Sequence, residues 1–381
     1  MAITVHEALE LEILKGFKVI AGEKGLSNKI THVAVWDYEI GDLIAENFSP
    51  GDFALSTLVA IRDNIDELYG IVKRMIAVGI SCLAIKNIYF NYIPEEVIKL
   101  ADKENFPIML FSDTFTEDVI VYVNKAISEK KKYENLTAII DNILYNNLNE
   151  LSIKEIARKV NINFKEKNIV AFCKKKNGKT IGIKSFSHKE MEEAFSKVIP
   201  YKDGYILINT FEEASQQNVD KNIMRRLEWW GFSPKEYYIG ISSLYESLGN
   251  LNKAIQESLY AYKFSVTYSK DVSFFHDIGI NRIILPILDN PWVLKYYSEM
   301  VEPLIVYDKE NETELLKTAV KYVENNGDIK ATALQLFQHG NTIRYRIDKI
   351  NKILCKNSSY EHFYEELALA VRIYNLINNP L

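Results

Sequence analysis

Cysteine is scarce in this chain of 381 residues, and the three cysteines stand far apart. Cys82, Cys173 and Cys355 form no CxxC pair, which argues against both a disulfide framework and a thiolate metal site. The six histidines are equally scattered, so the sequence predicts no metal centre, no catalytic triad and no cofactor. A reducing cytoplasm fits this use of cysteine best.

Long apolar runs are also missing. No uninterrupted apolar stretch reaches roughly 18 residues, the length that a membrane-spanning helix requires. Near the start of the chain, Glu7, Glu10 and Glu12 precede any long apolar run. We therefore predict neither export nor insertion into a membrane.

The glycine-rich motifs that bind phosphates are absent as well. The sequence contains neither GxxxxGK[ST] nor GxGxxG, so a nucleotide-dependent enzyme has no support. The net charge is −5, so the protein as a whole offers no basic field to nucleic acid or to an anionic membrane. Any such contact must come from a local patch.

What is present is the composition of an ordinary folded protein, with 48% hydrophobic and 25% charged residues. The length suits two or three domains. The pattern predicts a multidomain α/β and α+β protein with an all-α end. The predicted parts are an α/β domain at 1–127, a helical connector at 128–160, an α+β domain at 161–288 and a helical domain at 289–381.

The first part alternates short apolar runs with helical segments. THVAVWD, DFALST, SCLAIKN and FPIMLFS read as strands, and the alternation predicts a parallel α/β domain. Open α/β sheets collect ligands at the carboxyl ends of their strands. The predicted effector-binding residues are therefore Asp37, Ser56, Thr57, Lys86 and Ser112. The alternative is that Ser56, Thr57 and Ser112 only end strands and cap helices.

The connector has apolar residues at helical spacing between Ile127 and Leu151. Such a helix either packs on its neighbours or pairs with a second copy, and a homodimer explains it economically. The charge run Glu129-Lys130-Lys131-Lys132 is interpreted as a solvated face or a hinge.

The second globular part also alternates strands and helices. NIVAFC, YILINT and YYIGIS read as strands, and LNKAIQESLYAYKF reads as an amphipathic helix. Asp203-Gly204 predicts a hairpin turn. The pattern is that of an α+β domain.

The helical end begins with DIKATALQLFQ, where Asp328 is a predicted N-cap. The predicted apolar face of this helix consists of Ile329, Ala333, Leu336 and Phe337. His339-Gly340 is predicted to break the helix, and Asn341 to cap the next one. Two short helices in succession are therefore expected.

The second of these helices has a buried stripe and a basic face. The stripe consists of Ile343, Ile347, Ile350 and Leu354. At about 100° per residue, Tyr345, Lys349, Lys352 and Lys356 lie opposite, with Thr342 nearby and with Arg344 and Arg346 on the flanks. Residues 328–356 carry six basic and two acidic side chains, a net charge of +4. This is the arrangement of a DNA-recognition helix, although an ordinary helix pair with a solvated basic face has the same composition.

The order of residues in LQLFQHGNTIRYRIDKINKIL resembles the C-terminal helix-turn-helix of the PucR/CdaR family of bacterial transcription regulators, which is itself similar to Fis-type domains. The matching residues are Leu336, Phe337, His339, Asn341, Thr342, Ile343, Arg344, Tyr345, Arg346 and Ile347. Gly340 stands where a basic residue or proline is more usual, which weakens one expected phosphate contact. SPGDFALST, AVGISCLAIK and ADKENFPIMLF resemble the N-terminal sensory domain of the same family.

The middle part resembles a GGDEF-like domain, but its turn reads YKDGY. A diguanylate cyclase needs a glycine pair and adjacent carboxylates for nucleotide and metal, so we predict no catalysis. A relic nucleotide cyclase is the alternative. A further alternative is an adaptor whose terminal helices bind a protein rather than DNA.

The resemblance implies a cytoplasmic, sequence-specific regulator that activates catabolic or transport genes, purine catabolism among them. It implies double-stranded operator DNA, a small-molecule effector and RNA polymerase as partners, and assembly as a homodimer or higher homo-oligomer. The predicted DNA-binding residues are Thr332, Gln335, His339, Asn341, Thr342, Arg344, Tyr345, Arg346, Lys349 and Lys352.

Overall fold

The structure is a computed structural model that describes residues 2–39, 41, 43–176, 194–354 and 362–378. Cys355 and Lys356 lie outside the described residues. The described chain divides into two compact units, the first ending at Asp141 and the second beginning at Asn142. Among the described residues, no helix is both long and apolar enough to cross a bilayer.

The first unit has seven strands within its described residues. They are β1 (Ile3–Thr4), β2 (Lys18–Ala21), β3 (Lys29–Ile30), β4 (His32–Val35), β5 (Asp52–Ser56), β6 (Cys82–Lys86) and β7 (Ile108–Phe111). The main sheet has the order β2-β7-β6-β5-β4, and β1 pairs with β3 separately. Strands β4 to β7 are parallel, and β2 is antiparallel to β7. The prediction of an α/β domain is confirmed, and the main sheet is mixed, with four parallel strands and one antiparallel edge strand.

Five helices accompany this sheet. They are α1 (Val5–Leu9), α2 (Leu43–Asn47), α3 (Leu68–Val78), α4 (Glu95–Glu104) and α5 (Thr116–Tyr145). Alternate residues of the buried strands serve two different cores, because successive side chains of a strand point to opposite faces. Ala54 and Leu83 pack among the residues of α2, α3 and α4. Phe53 and Cys82 pack among those of α1 and α5. The sheet is therefore covered on both faces.

The connector differs from the prediction. Helix α5 starts inside the first unit, where Val119 and Val123 join its core, and runs without interruption to Tyr145. Helix α6 (Glu150–Val160) packs instead in the second unit, where Gly249 lies so close that an added Cβ would come within 2.8 Å of the Glu150 carbonyl oxygen. Residues 128–160 are thus not one continuous helix, because they contain the end of α5, which crosses the unit boundary, and α6, which lies wholly in the second unit.

The charge run in α5 is only partly a solvated face. The Lys130 ammonium lies 2.8 Å from both carboxylate oxygens of Glu7 and links α5 to α1. A lysine held by two hydrogen bonds to a neighbouring helix is not part of a free basic surface.

The second unit begins with a five-stranded sheet. Its strands are β8 (Lys167–Lys175), β9 (Ser196–Tyr201), β10 (Gly204–Phe211), β11 (Tyr237–Ile241) and β12 (Val272–Phe274). The order is β12-β11-β8-β10-β9, antiparallel except between β11 and β12. Helices α7 (Gln216–Trp229) and α8 (Leu251–Thr267) complete this α+β part. The three predicted strands and the predicted helix are all present.

The hairpin is present, with a shifted turn. Tyr201 pairs with Gly204, so the two loop residues are Lys202 and Asp203, and Lys202 has a φ of +50°. Gly204 lies in the strand, where an added Cβ would come within 2.6 Å of the Cys173 carbonyl oxygen. The glycine is required by close packing on β8 rather than by the turn.

Seven further helices form the rest of the unit. They are α9 (Asn281–Ile284), α10 (Pro291–Met300), α11 (Glu302–Asn311), α12 (Leu315–Glu324), α13 (Ile329–Gln335), α14 (Gly340–Leu354) and α15 (Phe363–Asn378). Leu367 and Val371 of α15 pack with Ile350 of α14. Ile373 and Leu376 of α15 pack with Phe264 of α8. Helix α15 thus joins the helical end to the α+β part.

Candidate functional site

Helix α13 starts as predicted. The Asp328 carboxylate accepts hydrogen bonds from the backbone N–H groups of Lys330, at 2.7 Å, and Ala331, at 3.1 Å. Thr332 is fully buried, and its hydroxyl donates to the Asp328 carbonyl oxygen at 2.6 Å. This corrects the prediction for Thr332, because a buried hydroxyl that is already bonded to its own helix cannot reach DNA.

The end of α13 lies three residues earlier than predicted. The Gln338 N–H donates to the Ala333 carbonyl oxygen and the Phe337 N–H to that of Leu334, the paired bonds of a Schellman motif. Phe337 occupies the left-handed position with a φ of +52°. The helix is therefore broken at Leu336-Phe337, and not at His339-Gly340.

The predicted apolar face of α13 is also smaller than expected. Ala333 is buried, and Ile329 and Leu336 are half-buried. Phe337 is 93% exposed, and Leu334 is 79% exposed. Since the chain turns left-handed at Phe337, its ring leaves the face on which helical spacing would have placed it.

Helix α14 is capped by His339. Its Nδ1 accepts a hydrogen bond from the Asn341 N–H at 3.2 Å, the bond that an N-cap side chain makes to the second helical residue. Asn341 lies inside the helix, where its Oδ1 accepts from Arg344 Nη1 at 2.9 Å. The predicted cap at Asn341 is thus wrong by two residues.

The buried stripe of α14 is confirmed. Ile343 and Ile350 are fully buried, and Ile347 and Leu354 are half-buried. Ile347, Ile350 and Leu354 pack among apolar residues of the neighbouring helices, so α14 is held against its unit along one side.

The solvent face of α14 differs from the predicted one. Its exposed residues are Asn341, Arg344, Tyr345, Asp348 and Lys352. Arg346 is a flank residue whose side chain is only 20% exposed; its Nη1 donates to Thr318 Oγ1 at 3.0 Å and lies 3.8 Å from Glu314 Oε2. Lys349 is half-buried with its ammonium 5.1 Å from the centre of the Tyr307 ring. Both cations therefore help to fix α14 on α11 and α12.

Two further predicted DNA-binding residues lie beside this face. Gln335 is exposed at the end of α13, and its Oε1 accepts from Asn325 Nδ2 at 3.1 Å. Thr342 is half-buried in the first turn of α14. Of the predicted DNA-binding residues, six are thus exposed and Thr342 is half-buried; the exposed ones are Gln335, His339, Asn341, Arg344, Tyr345 and Lys352.

The predicted effector residues follow four adjacent strands of the first unit. Because β4 to β7 are parallel, Asp37, Thr57, Lys86 and Ser112 lie along one edge of the sheet. Ser56 is buried, and its Oγ accepts from the Leu58 N–H at 2.8 Å. For Ser56 the structure supports the alternative, a strand-ending residue, and corrects the prediction of ligand contact.

Asp37 has a carboxylate oxygen at this edge that lacks a hydrogen-bond partner among the described residues. Burial raises the pKa of its carboxyl, and a hydrogen bond with the backbone of Thr57 offsets part of that rise. Its Oδ1 is buried and has no hydrogen-bond partner among the described residues. An unbonded buried carboxylate oxygen has a free position for a hydrogen-bond donor.

Aromatic side chains surround the same edge. Lys86 Nζ lies 5.5 Å from the centre of the Phe115 ring. The exposed hydrophobic residues of the loops at this edge include Tyr38, Ile88, Tyr89, Tyr92 and Phe115. A cavity of about 500 Å³ lies at the opposite edge, between Asn28, Gly51, Ser81 and Asn105, and gives the first unit a second candidate pocket.

Metal ligands do not converge in either unit. Across the described ranges, no group of three or more His, Cys, Asp or Glu side chains could hold a metal ion. Asp203 of the YKDGY turn lies with its Oδ2 3.5 Å from Lys174 Nζ. The carboxylate that a cyclase would direct at a metal thus has a lysine beside it.

Helices α13 and α14 pack beside α12 and form a helix-turn-helix. Its second helix, α14, presents a polar face to solvent, which is the geometry of a helix-turn-helix protein. Residues 315–373 match the PucR C-terminal helix-turn-helix domain, and residues 7–127 match the purine catabolism regulatory protein-like family. The chain thus contains a PucR family domain and a PucR C-terminal helix-turn-helix domain.

Two curated relatives illustrate the similarity. The proline-responsive transcriptional activator PutR of Bacillus subtilis (strain 168) is 25% identical over 64% of this chain and 62% of its own length. The purine catabolism regulatory protein of the same organism is 28% identical over 36% of this chain and 26% of its own length. The chain therefore spans less than two thirds of the relatives that it matches.

A solved structure, the regulator of polyketide synthase expression from Bifidobacterium adolescentis, is 12% identical and covers 63% of this chain and 99% of its own chain. The TM-score is 0.24, which is too low to indicate a shared fold.

Proposed function

We propose that this protein is a sequence-specific transcriptional regulator that binds double-stranded operator DNA through α13 and α14. The observation that carries the proposal is the solvent face of α14, where Asn341, Arg344, Tyr345 and Lys352 stand free of the core. Residues near the start of a recognition helix reach base edges, and basic residues along it reach phosphates. Asn341 and Tyr345 are suited to the first task, and Arg344 and Lys352 to the second.

The relatives support regulation of transcription, since one is named an activator and the other a catabolic regulator. We accordingly propose an activator of catabolic or transport genes that acts in the cytoplasm, with RNA polymerase as a partner. A homodimer or higher homo-oligomer would place two recognition helices on two half-sites. The middle α+β part is proposed to be GGDEF-like and non-catalytic, because Lys174 lies beside Asp203.

The proposed effector site is the carboxyl edge of the first sheet, at Asp37, Thr57, Lys86 and Ser112. The unbonded Oδ1 of Asp37 supports it, because a ligand with an N–H or O–H group would supply the missing hydrogen bond. Lys86 would hold an acidic group of the ligand, and the surrounding aromatic residues would exclude water.

DNA binding is tested with a duplex selected from a random pool and with an unselected duplex of equal length. We expect tighter binding to the selected duplex and, for both, a fall in affinity with salt that follows the number of phosphate contacts. Arg344→Ala should weaken both complexes, and Lys309→Ala, which removes an exposed lysine of α11, is the matched control. A protein adaptor would retain neither duplex at physiological salt.

Absence of cyclase activity is tested by incubating the purified protein with GTP and Mg²⁺ or Mn²⁺. We expect no turnover. Turnover that Asp203→Ala abolishes would contradict the proposal for the middle part.

A further inference from the structure

Phe337 is the most exposed large hydrophobic residue of the described chain, at 93%. It occupies the turn between α13 and α14 with a φ of +52°. Left-handed backbone is uncommon for a bulky residue and is the usual place for glycine at the end of a helix. The protein therefore holds an aromatic ring in solvent at a position where glycine would be less strained.

Nothing inside the described part of the protein uses this ring. Phe337 is absent from the apolar clusters of the second unit, and no ring or cation contact to it is present among the described residues. The backbone of the turn is nevertheless well fixed, because the two Schellman bonds hold Phe337 N–H and Gln338 N–H to α13. A fixed backbone with an unused ring is typical of a contact that is completed by a partner.

The surroundings favour DNA as that partner. Leu334, also exposed, precedes Phe337 by three residues, and the exposed Gln335, Gln338 and His339 flank the two. His339 caps α14, so Phe337 lies two residues before the N-cap and three before the first residue of the helix proposed to enter the major groove. An apolar ring among polar side chains matches a major-groove surface in which thymine methyl groups lie among hydrogen-bonding base edges.

We propose that Phe337 contacts a thymine C5-methyl group in the operator and is a specificity-determining residue. The inference rests on the proposed DNA-binding function and adds a base preference to it. In this arrangement the Schellman turn fixes the position of the ring relative to the major groove. Glycine at this position would relieve the backbone strain but would lose the contact with the methyl group.

The test uses the full-length protein, a duplex selected from a random pool, and copies of it in which one thymine at a time is replaced by uracil. For the wild type, one replacement on each half-site should lower affinity by about fourfold, the usual order for the loss of one buried methyl group. Phe337→Gly should bind the selected duplex about tenfold more weakly and should be insensitive to that replacement.

Thermal unfolding separates this role from a structural one. Phe337→Gly should unfold at the same temperature as the wild type or higher, because glycine adopts a positive φ without strain. Phe337→Asn, which also tolerates this backbone, should behave in the same way. Val306→Ala removes another exposed apolar side chain, on α11, and should leave both affinity and uracil sensitivity unchanged.

The outcomes are distinguishable. Wild type that fails to prefer the selected duplex would refute the proposed function itself. Selective binding by the wild type, with equal affinity in Phe337→Gly and no effect of uracil, would overturn the inference alone. Unchanged DNA binding with loss of transcription in Phe337→Gly would also overturn it, since the ring would then contact a protein.

Discussion

Arg344 and Arg346 are two residues apart in α14 and have different surroundings. Arg344 is exposed and donates to Asn341 of its own helix, whereas Arg346 is bonded to Thr318 of α12 and lies beside Glu314, the residue before α12. A side chain that is bound within the protein is a poor phosphate ligand but a good support for the helix that carries it. Replacement of Arg344 should therefore change DNA affinity, whereas replacement of Arg346 should change the stability of the protein.

Arg344→Ala should weaken binding to selected and unselected DNA alike and reduce the salt slope by about 1, with no change in unfolding temperature. Arg346→Ala should lower the free energy of unfolding by about 1 to 3 kcal/mol, because it breaks hydrogen bonds to a charged group at a mostly covered position. Binding at several salt concentrations and thermal unfolding of both variants provide the measurements. An Arg346→Ala protein of unchanged stability that loses one phosphate contact would reverse these roles.

At the scale of elements, the β9–β10 hairpin contains two positions, Lys202 and Gly204, whose replacement should change stability in opposite directions. Gly204→Ala should destabilise the protein by about 1 to 3 kcal/mol, since its Cβ would meet the Cys173 carbonyl oxygen on the adjacent strand. Lys202→Gly should stabilise it by about 1 kcal/mol or less, because left-handed backbone costs a non-glycine residue about 1 to 2 kcal/mol, and the greater freedom of glycine in the unfolded chain offsets about 0.4 to 1 kcal/mol of that gain. Chemical denaturation of both variants checks the pair, and a neutral Gly204→Ala would mean that the turn, not the packing, needs the glycine.

The contact between α1 and α5 predicts an acid-sensitive element. Burial raises the pKa of Glu7, but hydrogen bonds from Lys130 and Thr4 outweigh it, so the pKa lies below its ordinary value of 4.5. A carboxyl with a lowered pKa in the folded state stabilises the fold above the ordinary value and loses that contribution as the pH falls through the folded-state pKa.

Between neutral pH and pH 4, the unfolding temperature of the wild type should therefore fall further than that of the Glu7→Gln variant. Lys130→Met should show the same reduced acid sensitivity, because it removes the same ion pair. Thermal unfolding at steps of pH measures the difference, and parallel curves for all three proteins would show that the ion pair adds nothing.

At the scale of the whole molecule, effector binding should be coupled to DNA affinity. A ligand that favours the DNA-binding state need only do so by about 1 to 3 kcal/mol, or roughly 5- to 150-fold. Metabolites from the pathway of the neighbouring genes are screened by thermal shift on the full chain, and the hits are then added to the DNA-binding assay. Asp37→Asn and Lys86→Met should remove the shift and the coupling together.

Ser81→Ala is the matched control, because it alters the cavity at the opposite edge of the same sheet. If that variant abolishes the shift and the Asp37→Asn variant does not, the effector binds at the amino-terminal edge.

Local patterns in the sequence were sufficient for much of this architecture. The buried strands of the first sheet, the Asp328 cap and the Ile343–Ile350 stripe follow from the spacing of apolar and capping residues, which acts within a few residues of the chain. The order of residues from Leu336 to Ile347 was likewise enough to indicate the PucR-type helix-turn-helix. These features depend on neighbours in sequence, so the sequence alone determined them.

Only the tertiary structure decided which polar and aromatic side chains remain available for function. Thr332 and Arg346 look like DNA ligands on a helical wheel, but one is buried and the other is bonded to α12. Phe337 looks like a core residue, but a left-handed turn places it in solvent. Lys130 looks like part of a free basic run, but it pairs with a residue 123 positions earlier. The physical reason is the same in each case. The exposure of a side chain depends on contacts between distant segments and on single backbone angles, and the spacing of apolar residues in the sequence gives no information about either.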